Sequence, residues 1–200
     1  IEQDIDGTRM NDGRTDRSGR FVVSGFDPDG QGRSGVYHVD HNLEITPWFR
    51  GISSGNSICF SPDGSTMYFA DSPEGKIWAY DYESKAARIS NKRLLYDFAD
   101  EPGLPDGSVV DSQGYIWNAE WNGYRVVRFS PEGRLDRVVE VPVKNPTCVA
   151  FGGNDLKTLY ITTSRLALSD SEIESMPTSG SLYALDIDVS GITDAPFAYR

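Results

Sequence analysis

The sequence has few cysteines, a deficit of basic residues and no long apolar run, and each absence excludes a class of protein. Its 200 residues contain only two cysteines, Cys59 and Cys148, which is too few for a disulfide framework. No apolar run approaches the roughly 18 residues of a membrane-spanning helix. Lysine and arginine number 19 against 30 acidic residues, a formal charge of −11, so a phosphate backbone would be repelled. We therefore expect no nucleic-acid partner and no membrane span.

Each cysteine lies in a short apolar run that is typical of a strand, and we expect both to be buried free thiols. The sequence begins with Ile1 rather than methionine, so we expect further residues upstream. A targeting segment would be among them. The compartment is left open, with the cytoplasm favoured.

What the sequence does contain is a repeat. Four β-rich runs recur at intervals of 46, 49 and 44 residues, and each follows a turn that contains glycine. These runs are residues 20–24, 66–70, 115–119 and 158–162. A second alternating run follows each of them, at 35–39, 76–80, 125–129 and 181–185. Third runs at 45–49, 93–97 and 137–141, and inner runs such as 57–60 and 108–110, complete the units.

Four short strands every ~45 residues are typical of a β-propeller blade. The sequence therefore predicts an all-β fold, a single β-propeller domain over residues 1–200 with about four blades. Because the chain starts within a blade, we expect further blades upstream. A Ser169–Glu172 capping box predicts one helix, through about Met176 and ended by Pro177, inserted in the last blade.

One position of the repeat is polar in every unit. Counting eight residues back from the glycine that ends each inner turn gives Asn11, Asn56 and Asp106, and the register of the last unit gives Thr147. Inner strands of a propeller converge on its central channel, so these oxygens should approach one another. Such a ring suits a hard cation. A simpler alternative stays open, since Asn and Asp before glycine also form turns.

The motifs around these positions resemble those of the regucalcin/gluconolactonase/luciferin-regenerating-enzyme family. The likeness runs in order through essentially all 200 residues. It is carried by Arg9-Met-Asn11-Asp-Gly13, Asn56-Ser-Ile-Cys-Phe-Ser-Pro-Asp-Gly64, Leu104-Pro-Asp106-Gly107, Pro146-Thr-Cys-Val-Ala-Phe-Gly-Gly153 and the ending Gly180-Ser-Leu-Tyr-Ala-Leu-Asp186.

The resemblance implies a six-bladed propeller, of which this chain would supply about blades three to six. It also implies one divalent metal ion (Ca, Zn, Mn or Mg), held in the family by a Glu, an Asn and an Asp. Asn56 and Asp106 match the last two, whereas the Glu would lie upstream of Ile1. Arg9 and Asn11 match the substrate-binding pair. A further acidic substrate residue falls near Asp29, where the surrounding sequence departs from the family pattern.

The activity implied by the resemblance is hydrolysis of a lactone, often a sugar aldonolactone. The metal would act as a Lewis acid, with Asp106 as both metal ligand and general base. Arg9 and Asn11 would hydrogen-bond the substrate. Two alternatives stay open: a non-catalytic propeller that binds or scaffolds, and a calcium-binding regulatory protein. The lactone, the metal and the oligomeric state are left undetermined.

Overall fold

The computed structural model describes residues 1–199, and almost all of its regular structure is β-strand. Four antiparallel sheets follow one another along the chain, each a meander in sequence order. The first blade is β1 (Arg9–Thr15), β2 (Phe21–Phe26), β3 (Ser34–Val39) and β4 (Ile45–Ile52). The second is β5 (Gly55–Phe60), β6 (Thr66–Asp71), β7 (Lys76–Glu83) and β8 (Arg88–Asp97).

The third blade is β9 (Leu104–Val110), β10 (Ile116–Trp121), β11 (Arg125–Phe129) and β12 (Leu135–Glu140). The fourth has three strands, β13 (Pro146–Gly152), β14 (Thr158–Thr163) and β15 (Leu182–Asp186). The innermost strands β1, β5, β9 and β13 lie side by side. The all-β propeller with four blades is thus confirmed, and the inner strands start earlier than predicted.

Apolar side chains fill the spaces between neighbouring blades. Val22, Phe60 and Met67 pack between the first and second blades. Ile77 and Phe129 belong to the cluster between the second and third. Each fully buried aliphatic or aromatic side chain contributes about 1.5–3 kcal/mol relative to exposure. The second and third blades therefore pack against a neighbouring blade on both faces.

Each innermost strand carries a β-bulge. The pairing registers shift between Met10 and Gly13 in β1 and between Asn56 and Cys59 in β5. They shift opposite Asp106 in β9 and at Thr147 in β13. A bulge inserts an extra residue and re-aims the neighbouring side chains. The same irregularity therefore recurs where the repeat places its polar residues.

Two short helices interrupt the strands. The α-helix α1 (Asp170–Ser175) lies between β14 and β15 and begins with the predicted capping box: Ser169 N donates to Glu172 Oε2 at 2.8 Å. A 3₁₀ helix (Ser72–Glu74), which the sequence reading missed, follows β6 and ends at Gly75 in the left-handed region, with a φ of 62°. No helix within residues 1–199 has the length and hydropathy needed to cross a bilayer.

The segment after β15 returns to the first blade. Arg14, in β1, forms an ion pair with Asp194 of this segment. The same guanidinium donates to Ile58 O at 3.1 Å and to Ser108 O at 2.9 Å. One side chain thus joins three blades and the C-terminal segment across the channel.

Both cysteines are free thiols. Cys59 is 1% exposed in the core between the second and third blades, as expected. Cys148 is only half-buried.

Candidate metal and substrate site

The four polar residues at the repeated position line one cavity of about 450 Å³. They reach it from four different blades: Asn11 from β1, Asn56 from β5, Asp106 from β9 and Thr147 from β13. Residues about 45 positions apart in sequence therefore meet at one end of the channel. Arg9 lines the same cavity.

Asn56 lies between Asn11 and Asp106 and contacts both. Asn56 Oδ1 accepts a hydrogen bond from Asn11 Nδ2 at 3.0 Å, and Asn56 Nδ2 donates to Ser72 Oγ at 2.8 Å. In this orientation Asn56 Oδ1 faces Asp106 Oδ1 at 3.0 Å. Rotating the amide by half a turn would give Asp106 a hydrogen bond, but it would set the amide nitrogen against the nitrogen of Asn11.

The orientation of Asn11 decides between these two amide positions. Asn11 Oδ1 accepts from Arg9 Nη1 at 2.9 Å, and Asn11 Nδ2 donates to Gly55 O at 3.0 Å. Asn11 therefore presents an N–H donor to Asn56, and the matching acceptor is the amide oxygen of Asn56. Two oxygens from different strands then face each other, as ligands of a common hard cation do.

Burial raises the pKa of Asp106 to about 8, and the charge of the nearby Asp12 adds to the effect. Asp12 is itself fixed, since its carboxylate accepts the backbone N–H groups of Gly13 and Ile58, each at 2.8 Å. Asp106 and Asp12 are two carboxylates in a desolvated site, and within residues 1–199 no cationic side chain pairs with Asp106. The site therefore has a deficit of positive charge. A divalent cation would supply that charge and keep Asp106 ionised.

The donor chemistry at this position fits a divalent cation. Carboxylate and amide oxygens suit Ca, Mg or Mn, and zinc accepts carboxylate oxygen as well. Within residues 1–199, no three His, Cys, Asp or Glu side chains come together as a ligand group. The part of the chain that the structure describes therefore offers one carboxylate, Asp106, with the amide oxygen of Asn56. Any further ligands of a cation would come from groups other than these two side chains.

A buried polar cluster supports Asp106 from behind, and the sequence reading missed it. Ser57 Oγ donates to Asp106 O at 2.7 Å, and Asn118 Nδ2 donates to the same carbonyl at 3.1 Å. Asn118 Nδ2 also lies 2.9 Å from Ser108 Oγ, and all three side chains are buried. A signal did exist, because Asn118 is a polar residue between Trp117 and Ala119 in β10.

The rest of the cavity lining combines one cation, three serines (Ser54, Ser72 and Ser164) and an apolar wall. The Arg9 guanidinium lies 4.6 Å from the centre of the Phe26 ring. The apolar wall consists of Phe26, Pro73, Leu104, Trp121 and Leu166. Three of the four tryptophans donate their indole N–H to a protein group, whereas Trp121 Nε1 donates to none of the residues that the structure describes. That wall therefore offers a ligand the aromatic face of Trp121 and its indole N–H donor.

A family model described as "SMP-30/Gluconolactonase/LRE-like region" matches residues 1–165. The chain belongs to this family. A crystal structure described as a calcium-binding protein, regucalcin, from Agrobacterium tumefaciens superposes with a TM-score of 0.94 at 35% identity. That match covers 98% of this chain and 67% of the other.

Two relatives of this family member carry lactonase names. L-arabinolactonase from Azospirillum brasilense is 38% identical over 196 residues, which are 96% of this chain and 64% of that protein. 6-Deoxy-6-sulfogluconolactonase from Pseudomonas putida is 35% identical over 193 residues, or 96% of this chain and 66% of that protein. The chain therefore spans about two thirds of the length of these relatives.

Among the residues that the family likeness singled out, Asp29 stands apart. Arg9, Asn11, Asn56 and Asp106 share the cavity, but Asp29 does not line it. Its side chain is 68% exposed and pairs with Arg33 at 2.6 Å. The role of Asp29 in substrate binding stays a prediction.

Proposed function

We propose that this family member hydrolyses a sugar lactone to its hydroxy acid with the help of one divalent cation held by Asn56 and Asp106. The observation that carries the proposal is the pair of facing oxygens, 3.0 Å apart, in the cavity that Arg9 and Asn11 also line. The same cavity therefore combines oxygen ligands for a cation with amide and guanidinium donors for hydroxyl groups. The lactonase names of the two relatives support the same substrate class.

Substrate binding would fall to the polar rim and the apolar wall. The Arg9 guanidinium carries several N–H donors and would donate to the ring oxygen or hydroxyls of the sugar. Asn11, already held by Arg9, would add an amide group at the same edge. The C–H face of the sugar would lie against the wall that contains Leu104 and Trp121.

The reaction needs a proton acceptor, an activated carbonyl and a leaving alkoxide that regains a proton. A cation bound at this position would polarise the lactone carbonyl as a Lewis acid. The Asp106 carboxylate accepts a proton from the attacking water as the water oxygen bonds to the carbonyl carbon. The ring C–O bond then breaks, and the same carboxyl returns the proton to the departing oxygen. Ser57 and Asn118, which bind the Asp106 carbonyl, keep this strand from shifting.

The test is turnover of a panel of aldonolactones by the full-length protein, with and without added divalent metal. Asp106→Ala is the test variant. Asp81→Ala, which removes an exposed carboxylate paired with Arg93, is the matched control. Metal-dependent turnover that Asp81→Ala retains and Asp106→Ala loses by at least 100-fold would support the proposal.

Two other results would replace the proposal. Calcium binding without turnover of any lactone in the panel would favour a regulatory calcium-binding protein. A folded protein with neither metal binding nor turnover would favour a binding or scaffolding propeller.

A further inference from the structure

Ser72 links the strands that carry the two candidate metal ligands. It follows β6 in the second blade, opens the 3₁₀ helix and is 9% exposed. Its hydroxyl lies between the Asn56 amide, in its own blade, and the carbonyl of Pro105 in the third blade. Pro105 directly precedes Asp106, so this one side chain touches both sides of the candidate cation site.

The directions of these two hydrogen bonds are fixed by chemistry. A carbonyl oxygen only accepts, and Pro105 O lies 2.6 Å from Ser72 Oγ. The single hydroxyl proton of Ser72 is therefore committed to Pro105. Toward Asn56, at 2.8 Å, the hydroxyl can only accept, so the Asn56 amide must present its nitrogen.

This constraint turns the amide oxygen of Asn56 toward the cavity. Asn56 Oδ1 is then the atom that lies 3.0 Å from Asp106 Oδ1. Asn11, which offers Asn56 a donor, imposes the same orientation from the opposite side. The two constraints are independent, because one comes from a hydroxyl in the second blade and the other from an amide in the first.

Without Ser72, only the contact with Asn11 would oppose rotation of the Asn56 amide. The rotated amide would donate to Asp106 across the same 3.0 Å, which satisfies the carboxylate without a cation. A cation would then have to break that hydrogen bond before it could bind. Buried hydrogen bonds to charged groups are among the strongest in proteins, so the cost to metal affinity is considerable.

We infer that Ser72 is a positioning residue, which holds the Asn56 amide with its oxygen toward Asp106 and so keeps the cation site open. The inference rests on the proposed function, since it assigns Ser72 a part in the same site. Ser72 itself contributes no ligand; it acts through Asn56. Nothing in the motifs of the sequence pointed to it.

The experiment compares three variants of the full-length protein. Ser72→Ala removes the hydroxyl, whereas Ser72→Thr keeps it. Ser54→Ala is the matched control, because Ser54 lines the same cavity and its hydroxyl makes no hydrogen bond to the residues that the structure describes. Calcium and manganese affinities are measured by calorimetry, together with melting temperatures in the absence of metal and lactone turnover over a range of metal concentrations.

We expect Ser72→Ala to weaken divalent binding at least tenfold, while Ser72→Thr and Ser54→Ala stay within about threefold of wild type. With saturating metal, Ser72→Ala should recover most of the wild-type kcat, since the cation restores the amide orientation. General structural damage would instead lower kcat at every metal concentration.

Wild-type metal affinity in Ser72→Ala would overturn the inference and leave the proposed function intact. Loss in Ser72→Ala with no rescue by metal or by Ser72→Thr would also overturn it. A wild-type protein that hydrolyses lactones without binding any divalent ion would remove the metal site from the proposed function, and this inference with it.

Discussion

Asn56 Oδ1 and Asp106 Oδ1, an amide oxygen and a carboxyl oxygen, face each other at 3.0 Å. The two residues are 50 positions apart in sequence and lie on the inner strands of neighbouring blades. Such a contact is unfavourable between a neutral amide oxygen and an ionised carboxylate. It becomes favourable when a proton or a cation lies between them. The pair is therefore a sensitive position at which to test the site.

Replacing Asn56 by Asp should destabilise the metal-free protein and strengthen its response to metal. A second carboxylate beside Asp106 adds like-charge repulsion. It also faces a lone pair of Ser72, whose hydroxyl proton is committed to Pro105. We expect unfolding to become about 1–3 kcal/mol easier without metal, with a larger metal-induced rise in melting temperature than in wild type. Thermal denaturation with and without divalent ions measures both.

The control for this change is Asn91→Asp. Asn91 also donates to a carboxylate, that of Asp81, but at the exposed surface. Its replacement should leave the metal response unchanged. An equal metal response in Asn56→Asp and wild type would contradict a cation site at this pair.

Arg9 is expected to act on substrate affinity. Hydrogen bonds from a charged donor are worth about 1.5–3 kcal/mol, so Arg9→Met should raise KM for an aldonolactone roughly tenfold to 100-fold. Steady-state kinetics check this. Arg50→Met serves as the control, since the Arg50 guanidinium also lies over an aromatic ring, that of Tyr37, but does not line the cavity. An unchanged KM in Arg9→Met would remove Arg9 from the substrate site.

Trp121 is expected to form the stacking face for the sugar. Loss of an aromatic contact of this kind costs about 0.5–1.5 kcal/mol, so Trp121→Ala should raise KM about two- to tenfold. Trp121→Phe keeps an aromatic face but loses the indole N–H donor. Its KM should lie between those of wild type and Trp121→Ala. Trp78→Phe is the control, because Trp78 is outside the cavity and donates to Glu74. Identical KM values in all four proteins would contradict this role.

Arg14 should matter more for stability than an exposed arginine with a similar ion pair. Arg14→Met leaves the carbonyls of Ile58 and Ser108 without this donor in a buried channel. We expect a loss of about 1–3 kcal/mol in the free energy of unfolding, measured with urea. Arg93→Met, which breaks the exposed pair with Asp81, should cost less than about 1 kcal/mol. Equal losses of unfolding free energy in Arg14→Met and Arg93→Met would show that the hydrogen bonds to the two buried carbonyls add no stability.

Cys59 should make the protein sensitive to alkali. Burial raises the pKa of its thiol to about 12 from 9.0. Below pH 9 both states hold the proton, and the full stability is present. Above that pH the unfolded thiol ionises first, so stability falls by up to about 1.4 kcal/mol per pH unit until the folded pKa is reached.

The measurement is urea denaturation of wild type and Cys59→Ala at pH 8 and pH 10.5. Buried tyrosines titrate in both proteins, so the difference between their pH slopes isolates the thiol. We expect wild type to lose about 2 kcal/mol more than the variant over this range. Parallel slopes would mean that Cys59 ionises as readily in the folded protein as in the unfolded one.

Much of the fold could be predicted because its signals are local. Alternating apolar residues define a strand by themselves, and a spacing of about 45 residues repeats the blade. The Ser169–Glu172 capping box is contained in four residues and appears where the sequence placed it. Even the convergence of Asn11, Asn56 and Asp106 followed from the repeat, since equivalent positions of successive blades approach the same axis.

The contacts between blades and loops could not be predicted from the sequence. The Ser72–Pro105 and Arg14–Asp194 pairs join residues 33 and 180 positions apart, and no periodicity relates them. Asp29 shows the same limit, because the family likeness places an acidic substrate residue only near it, and the structure pairs it with Arg33 outside the cavity.

The sequence by itself determined the strands, the blades and the residue types that meet at the channel, because each depends on local pattern and repetition. Only the tertiary structure decided which atom of Asn56 faces Asp106 and which hydroxyl holds it there. Hydrogen-bond direction depends on the distance and angle at which separate blades approach, and those are set by packing of the whole molecule.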